Sequence, residues 1–296
     1  MSFQTIGIGE VVWDLFPSYK RLGGAPYNYA FHCAQLSARA KIISGIGRDD
    51  LGLEIKAAAA AAKLDISCLQ ESAPASTGVV KVSLNASLKP SYEICADRAW
   101  DYLDFLPELS PLALTTDAVC FGTLGQRSEK SRQTVQMFVR ACPDAALKIF
   151  DINLRQNFFS KPLIEDSLRL SNILKISDEE LPVLTGMFGL SGSVQAQLQQ
   201  LRRRFELRLI AYTRGPAGSL LLSEEQLSEH GGCAGKVVDT VGAGDSFTAT
   251  LCMGLLWKWP LDRINEYANR VATFVCSQNG ATPVLPDEII KGVFYA

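Results

Sequence analysis

Short apolar runs alternate along this chain with longer stretches in which apolar positions recur every three or four residues. The first run, "TIGIGEVV" at 5–12, is rich in β-branched residues and reads as a strand. After Gly-Gly at 23–24, "PYNYAFHCAQLSA" carries helical spacing, and "KIISGIG" at 41–47 is again strand-like. The alanine-rich stretch around 52–63 predicts a helix on composition alone. Further strands are expected at "DAVCFGTL", "ALKIFDIN", "NILKIS", "LRLIAYT" and "SLLLSE". Helices are expected over 128–141, 162–171, 179–186 and 193–205, and two apolar ones over 244–258 and 261–278. Such alternation predicts an α/β fold with a mainly parallel sheet covered on both faces.

One section breaks the rhythm. Between 66 and 97 the runs "ISCLQ", "TGVVKVSLN" and "SYEICA" follow one another with turn residues and no helix between them. They predict a small antiparallel sheet which, with "VVWDLFP" near the start, forms a lid over the carboxyl ends of the main strands, where such folds bind ligands. The reading is one domain over 1–296, with the lid drawn from about 10–20 and 66–100. Trp13, Phe16, Tyr27 and Tyr29 are expected to present aromatic faces there.

Composition narrows the classes. A formal net charge of −2 with scattered Lys and Arg gives no reason to expect nucleic acid or a membrane surface as partner. The tightest basic cluster, "RRR" at 202–204, reads as a solvated helix face. Eight cysteines form no CxxC pair and mostly lie in apolar runs, and with two histidines, His32 and His230, zinc is not expected. The N-terminal residues lack a signal-peptide pattern and no long apolar span occurs, so a cytoplasmic protein with reduced thiols is expected.

Two glycine motifs fail. The Gly-Lys at 235–236 is followed by Val237, so there is no P-loop; GxGxxG starts at Gly7 and Gly9 but has Val12 at its third glycine. "DTVGAGDSFTAT" at 239–250 carries more. "GKVVD" reads as a strand ending at Asp239, and "SFTATLCMGLLW" as an apolar helix. Gly242, Ala243 and Gly244 stand at the junction, just before Asp245. Exposed amides at a helix start suit an anion, and small residues let a phosphoryl group approach them. A carboxylate beside that site suits the proton of an attacking hydroxyl. The plain alternative is that Asp245 is an N-cap.

"DTVGAGDSFTA" resembles the second signature of the ribokinase family (PfkB-type) of carbohydrate kinases, and "GGAPYNYA" at 23–30 the first. "GEVVWD", "GIGRDDLG", "DINLR", "EELPVLTG" and "NGATPVLP" extend the likeness over the whole chain in the same order. The resemblance implies a three-layer α/β/α sandwich with a small antiparallel β lid, and ATP-dependent phosphoryl transfer to a sugar hydroxyl with Mg²⁺. It implies Asp245 as catalytic base, the amides of Gly242, Ala243 and Gly244 as anion hole, and Asp14, Gly24 and Asn28 as sugar-binding positions. Taken alone, Asn28 is equally a polar first-turn residue and Asp14 a turn residue.

By the same resemblance Glu180 organises magnesium and phosphate, though Ser177 stands where the family has asparagine, and the adjacent Glu179 leaves a one-residue slip open. Thr213, Gly215 and Gly218 in "YTRGPAG" match the nucleotide-side loop, and Asn269 falls in the adenine-side helix. Asp239 and segment 275–281 match loops that often hold a monovalent cation, which adds K⁺ to the expected ions. "AWDYL", "FGTLGQRS" and "FDINLRQN" together look most like fructokinases, acting on the 6-hydroxyl of free fructose. Trp100 and Asp101 are expected to cover the sugar, and Arg155 to neutralise the transferring phosphoryl group; their plain alternatives are an apolar anchor and a surface ion pair. Exposed lid edges suggest a homodimer through the lid. Ribokinase, 2-keto-3-deoxygluconate kinase and nucleoside kinase are the alternatives within this chemistry; a non-catalytic sugar sensor or a dehydrogenase lie outside it.

Overall fold

The structure, a computed structural model, describes residues 2–84 and 90–295. The strands are β1 Gln4–Ile8, β2 Val12–Leu15, β3 Lys20–Gly23, β4 Arg39–Gly47, β5 Leu69–Ser72, β6 Gly78–Leu84 and β7 Pro90–Ile94, followed by β8 Ala118–Phe121, β9 Leu147–Asp151, β10 Ile173–Ser177, β11 Leu209–Thr213, β12 Ser219–Ser223 and β13 Leu227–His230. The helices are α1 Ala25–Gln35, α2 Asp50–Ala61, α3 Leu109–Leu114, α4 Glu129–Ala141, α5 Lys161–Leu170, α6 Leu181–Phe188, α7 Val194–Arg204, α8 Ala243–Leu256, α9 Leu261–Cys276 and α10 Asp287–Tyr295.

Nine strands form one sheet in the order β13-β12-β11-β10-β9-β8-β1-β4-β5, parallel from β5 to β11, with β12 and β13 antiparallel at one edge. Alternate side chains of the central strands feed two cores, one per face. Ile42, Cys120 and Ile149 pack with α1, α2, α8 and α9, whereas Ile6, Phe121 and Phe150 pack with α3 to α7. That two-sided burial is why these strands are almost wholly apolar. Several helices start on side-chain caps: Asp49, Ser128, Ser160 and Ser193 each accept an amide of the first turn.

A second sheet, β3-β2-β6-β7, forms the lid. Its β2–β3 and β6–β7 pairs are antiparallel, and β2–β6 is parallel. Val12, Val80 and Ile94 from the lid pack with Trp100 and Leu124 to seat it on the body.

Three expectations are corrected. The run at 66–70 is not a lid strand, because β5 pairs with β4 at the edge of the main sheet. "GKVVD" forms no strand; it is a loop held where Val238 and Asp239 donate to Cys276 O. Tyr27 and Tyr29 lie on α1 inside the main core and not on the lid, whereas Trp13 is on β2 and Phe16 stacks on Tyr19 just beyond it. The expected run over 77–85 is seen as β6 up to Leu84, and its last position lies outside the described residues.

Candidate active site

A cavity of about 1500 Å³ runs between the lid and the carboxyl ends of the main strands. Asp14, Gly24, Asn28, Arg155, Glu180, Thr213, Gly215, Gly218, Gly242, Ala243, Gly244, Asp245 and Asn269 all line it. Asp239, Trp100 and Asp101 do not line it.

The helix start is built by a glycine. Gly242 caps α8 with φ +80°, and a Cβ there would stand 2.6 Å from Ala281, so a side chain meets both strain and a clash. No side chain caps α8. Ala243 N–H donates to Thr240 O at 3.3 Å and Ser246 N–H to Gly242 O at 2.9 Å, whereas the amides of Gly244 and Asp245 between them have no backbone partner one turn back, which leaves the helix start as an anion site. Asp245 is the third residue of α8 and therefore not its N-cap. Its Oδ2 instead accepts from Asn28 Nδ2 at 2.7 Å, joining α8 to α1. Burial, with Asp151 nearby, pushes the Asp245 carboxyl up to about 6, although Asn28, Lys175 and Arg155 favour its charged form.

Behind this carboxylate lies an ion pair. Lys175, on β10, reaches Asp151 Oδ1 at 3.1 Å, while Asp151 Oδ2 accepts from Thr248 Oγ1 at 2.9 Å. Burial pulls the lysine down, but Asp151, Glu180 and Asp245 outweigh it and push the ammonium up to about 12. Lys175 also lines the cavity, and a Cβ on Gly244 would stand 3.0 Å from its Nζ. A fixed cation thus sits beside the amides at the start of α8. Sequence reading missed Lys175 and Asp151. The available signal was a charged residue within an otherwise buried apolar strand, which requires a partner.

On the lid side, Gly24 starts α1 at φ +109°, and Asn28 is 3% exposed with Oδ1 unpartnered. Burial raises Asp14, on β2, to about 6 against the pull of Arg155 and Arg21. Glu10, also missed, is 3% exposed with Oε2 unpartnered, and burial pushes it up to about 7. Arg155 is exposed at the cavity in a turn where Asn153 and Gln156 take left-handed conformations.

Glu180, not the exposed Glu179, is the ordered acid of its loop. Its Oε1 accepts from Leu154 N–H at 2.9 Å and its Oε2 from Ser177 N–H at 2.8 Å, so Ser177 contributes backbone where its side chain differs. Thr213 ends β11 and accepts from Asp178 N–H through its carbonyl at 2.9 Å; Gly215 and Gly218 follow with positive φ. The Asn269 Nδ2 is already engaged with Ser219 Oγ at 2.7 Å and Asn265 O at 2.8 Å.

Three residues part from expectation. Trp100 is fully buried beneath the lid with the Arg127 guanidinium 3.9 Å over its ring. Asp101 makes a bidentate pair with Arg127 at 2.8 and 2.7 Å and accepts from Arg98 N–H. Both anchor the lid's base and neither meets the cavity, because apolar burial and a guanidinium partner fix them inward. Asp239 is paired with Arg21 of β3 and accepts from Gly280 and Val241 N–H, each at 3.1 Å. No cluster of three or more metal-ligating side chains occurs among the described residues.

An acid beside a helix start, facing a lidded cavity at the carboxyl ends of a doubly covered sheet, is an arrangement suited to phosphoryl transfer. The chain is matched over residues 18–288 by the pfkB family of carbohydrate kinases and belongs to that family. It is 28% identical to a fructokinase of Klebsiella pneumoniae, over 84% of this chain and 83% of that one. It is 25% identical to a fructokinase of Escherichia coli, over 97% of each. An uncharacterized sugar kinase from Pyrococcus horikoshii, solved in complex with ATP, superposes with a TM-score of 0.83 at 26% identity, covering 99% of this chain and all of that one. A Vibrio cholerae fructokinase bound to fructose, ADP and a potassium ion has the same fold, with a TM-score of 0.83 at 23% identity over 98% of each. The protein is thus a carbohydrate kinase. No helix among the described residues is long and apolar enough to cross a membrane.

Proposed function

We propose that this protein transfers the γ-phosphoryl group of ATP to the 6-hydroxyl of free fructose. The observation that carries the reading is Asp245: a carboxyl poised near 6, held by Asn28 in the first turn of α8, whose start no side chain caps, in a lidded cavity. At neutral pH it is ionised and suited to accept the hydroxyl proton. The α8 amides and the Lys175 ammonium favour charge on the transferring group. Arg155 at the cavity mouth adds a second cation.

Magnesium fits the donors present. Glu180 offers a buried carboxylate with one amide on each oxygen, leaving further lone pairs toward the cavity, and Mg²⁺ commonly takes one or two carboxylates plus substrate phosphates and water. Glu180 would hold the ion, which would supply positive charge to offset that of the nucleotide phosphates. Thr213, Gly215 and Gly218 would pass along the nucleotide, with Asn269 fixing the wall behind it.

Asp14, Asn28 and Glu10 on the lid side suit hydroxyls, which both donate and accept. Two carboxyl groups there disfavour an acceptor that already carries phosphate, which supports a free sugar. Likeness to fructokinases supports fructose among free sugars. ATP-coupled assays with fructose, ribose, 2-keto-3-deoxygluconate, adenosine and fructose 6-phosphate test the reading; turnover of any of these in preference to fructose overturns it. We also read the protein as a homodimer through its lid, where Tyr19 and Tyr92 are about half exposed. Sedimentation only as particles of 32.3 kDa excludes that.

A further inference from the structure

Arg21 leaves the lid. From the edge strand β3 its side chain crosses to the two loops behind the start of α8, where Nη1 pairs with Asp239 Oδ2 and Nη2 donates to Asn279 Oδ1 at 3.3 Å. The guanidinium lies 5.0 Å from the centre of the Tyr19 ring and 5.5 Å from that of Phe16, which hold it from the lid side. Asp239 is the only carboxylate on either loop, 235–242 or 277–284. Its Oδ2 accepts both from Arg21 and from Gly280 N–H, and its Oδ1 accepts from Val241 N–H. The same loops meet directly where Gly242 abuts Ala281, and Ala281 O is held by His32 Nε2 at 2.9 Å.

This is the place where a free monovalent cation is expected by resemblance, and the residues present do not fit one. The single carboxylate is already neutralised, and a second cation would sit beside a guanidinium. We infer that Arg21 is a positioning residue whose guanidinium is the tethered cation of these loops. Turnover then needs no free potassium, and the order of the α8 start is tied to the lid. The inference rests on the kinase reading for its rate measurement but not for its binding measurement.

The experiment compares the wild type, Arg21→Met and Arg21→Lys in KCl and in choline chloride at equal ionic strength. Sugar-kinase turnover is read together with melting temperature and ATP affinity. In the wild type, turnover, melting temperature and ATP affinity are the same in both salts. In Arg21→Met, kcat in choline falls by at least ~10-fold, the scale of a displaced catalytic geometry. KCl or millimolar guanidinium restores part of that loss and raises the melting temperature, while Arg21→Lys lies between. Wild-type activation or ATP tightening by K⁺ of more than about fivefold, the usual floor for a coupled ligand, overturns the inference. So does full turnover by Arg21→Met in choline. If Arg21→Met does not fold, Arg21→Lys and the wild-type salt comparison decide alone. If fructose is not turned over in either salt, the fructokinase reading fails, and the effect of K⁺ on melting and ATP affinity still decides this one.

Discussion

The two walls of the cavity are made differently. The wall formed by β9, β10, β11 and α8 uses backbone: a glycine cap at Gly242, first-turn amides, and the buried Lys175–Asp151 pair bracing them. The wall formed by β1 and the lid uses side chains whose protonation is shifted by burial, Glu10 toward 7 and Asp14 toward 6. Backbone dipoles fixed in a helix cost no reorganisation when charge develops, which suits phosphate. Asp14 accepts from hydroxyls, and Glu10, raised to about 7, also donates when it holds its proton, which suits groups that both donate and accept. The comparison separates where the reaction is driven from where its acceptor is chosen.

The sharpest way to break this comparison is Lys175→Met, which leaves Asp151 buried without its partner. A loss of about 3–5 kcal/mol in urea unfolding is expected; a loss under roughly 1 kcal/mol means that the ion pair does not brace the backbone wall. Asp245→Asn should lower kcat at least ~100-fold at unchanged melting temperature. The wild-type rate should decline as pH falls through about 6, where this carboxyl takes up a proton. Asp14→Asn acts on the other wall and should lower kcat/KM for the sugar about tenfold with the KM for ATP unchanged, the scale of one hydrogen bond to a charged group.

The smallest effect concerns Glu10. Its carboxyl rises from 4.5 unfolded to about 7 folded, so the protonated form suits the folded state. Stability tied to this group is complete below pH 4.5 and is lost as pH rises through about 7. Glu10→Gln should therefore gain about 1 kcal/mol over the wild type at pH 8, less than the ~3 kcal/mol that the full shift represents. No gain is expected at pH 4, and equal melting curves at both pH values refute the assignment.

The backbone wall was more legible in the sequence than the lid wall. Gly242, Gly244 and Asp245 form a contiguous motif in which small residues and an acid have few other reasons to adjoin a helix start. Lys175 and Asp151 are 24 residues apart and meet only through the β9–β10 register. Composition alone does not forecast such a pairing. Arg21 was invisible for a similar reason: it lies 218 residues from Asp239. Trp100 and Asp101 misled because a Trp-Asp pair after strand-like runs suits a sugar cover as well as a lid anchor, and Arg127 decides between the two. Strand β5 misled because a four-residue strand carries no mark of which sheet it joins.

Helix α1 carries a further consequence. Asn28, His32 and Gln35 lie along one face of it and bond to Asp245, Ala281 and Leu285, across 217, 249 and 250 residues of chain. A polypeptide still emerging from the ribosome has made this helix long before it owns the segments that complete it. Until the segments that carry Asp245, Ala281 and Leu285 have followed it, α1 holds only one half of each of these contacts, so Asn28 has no carboxylate to hold while the chain is still short of α8.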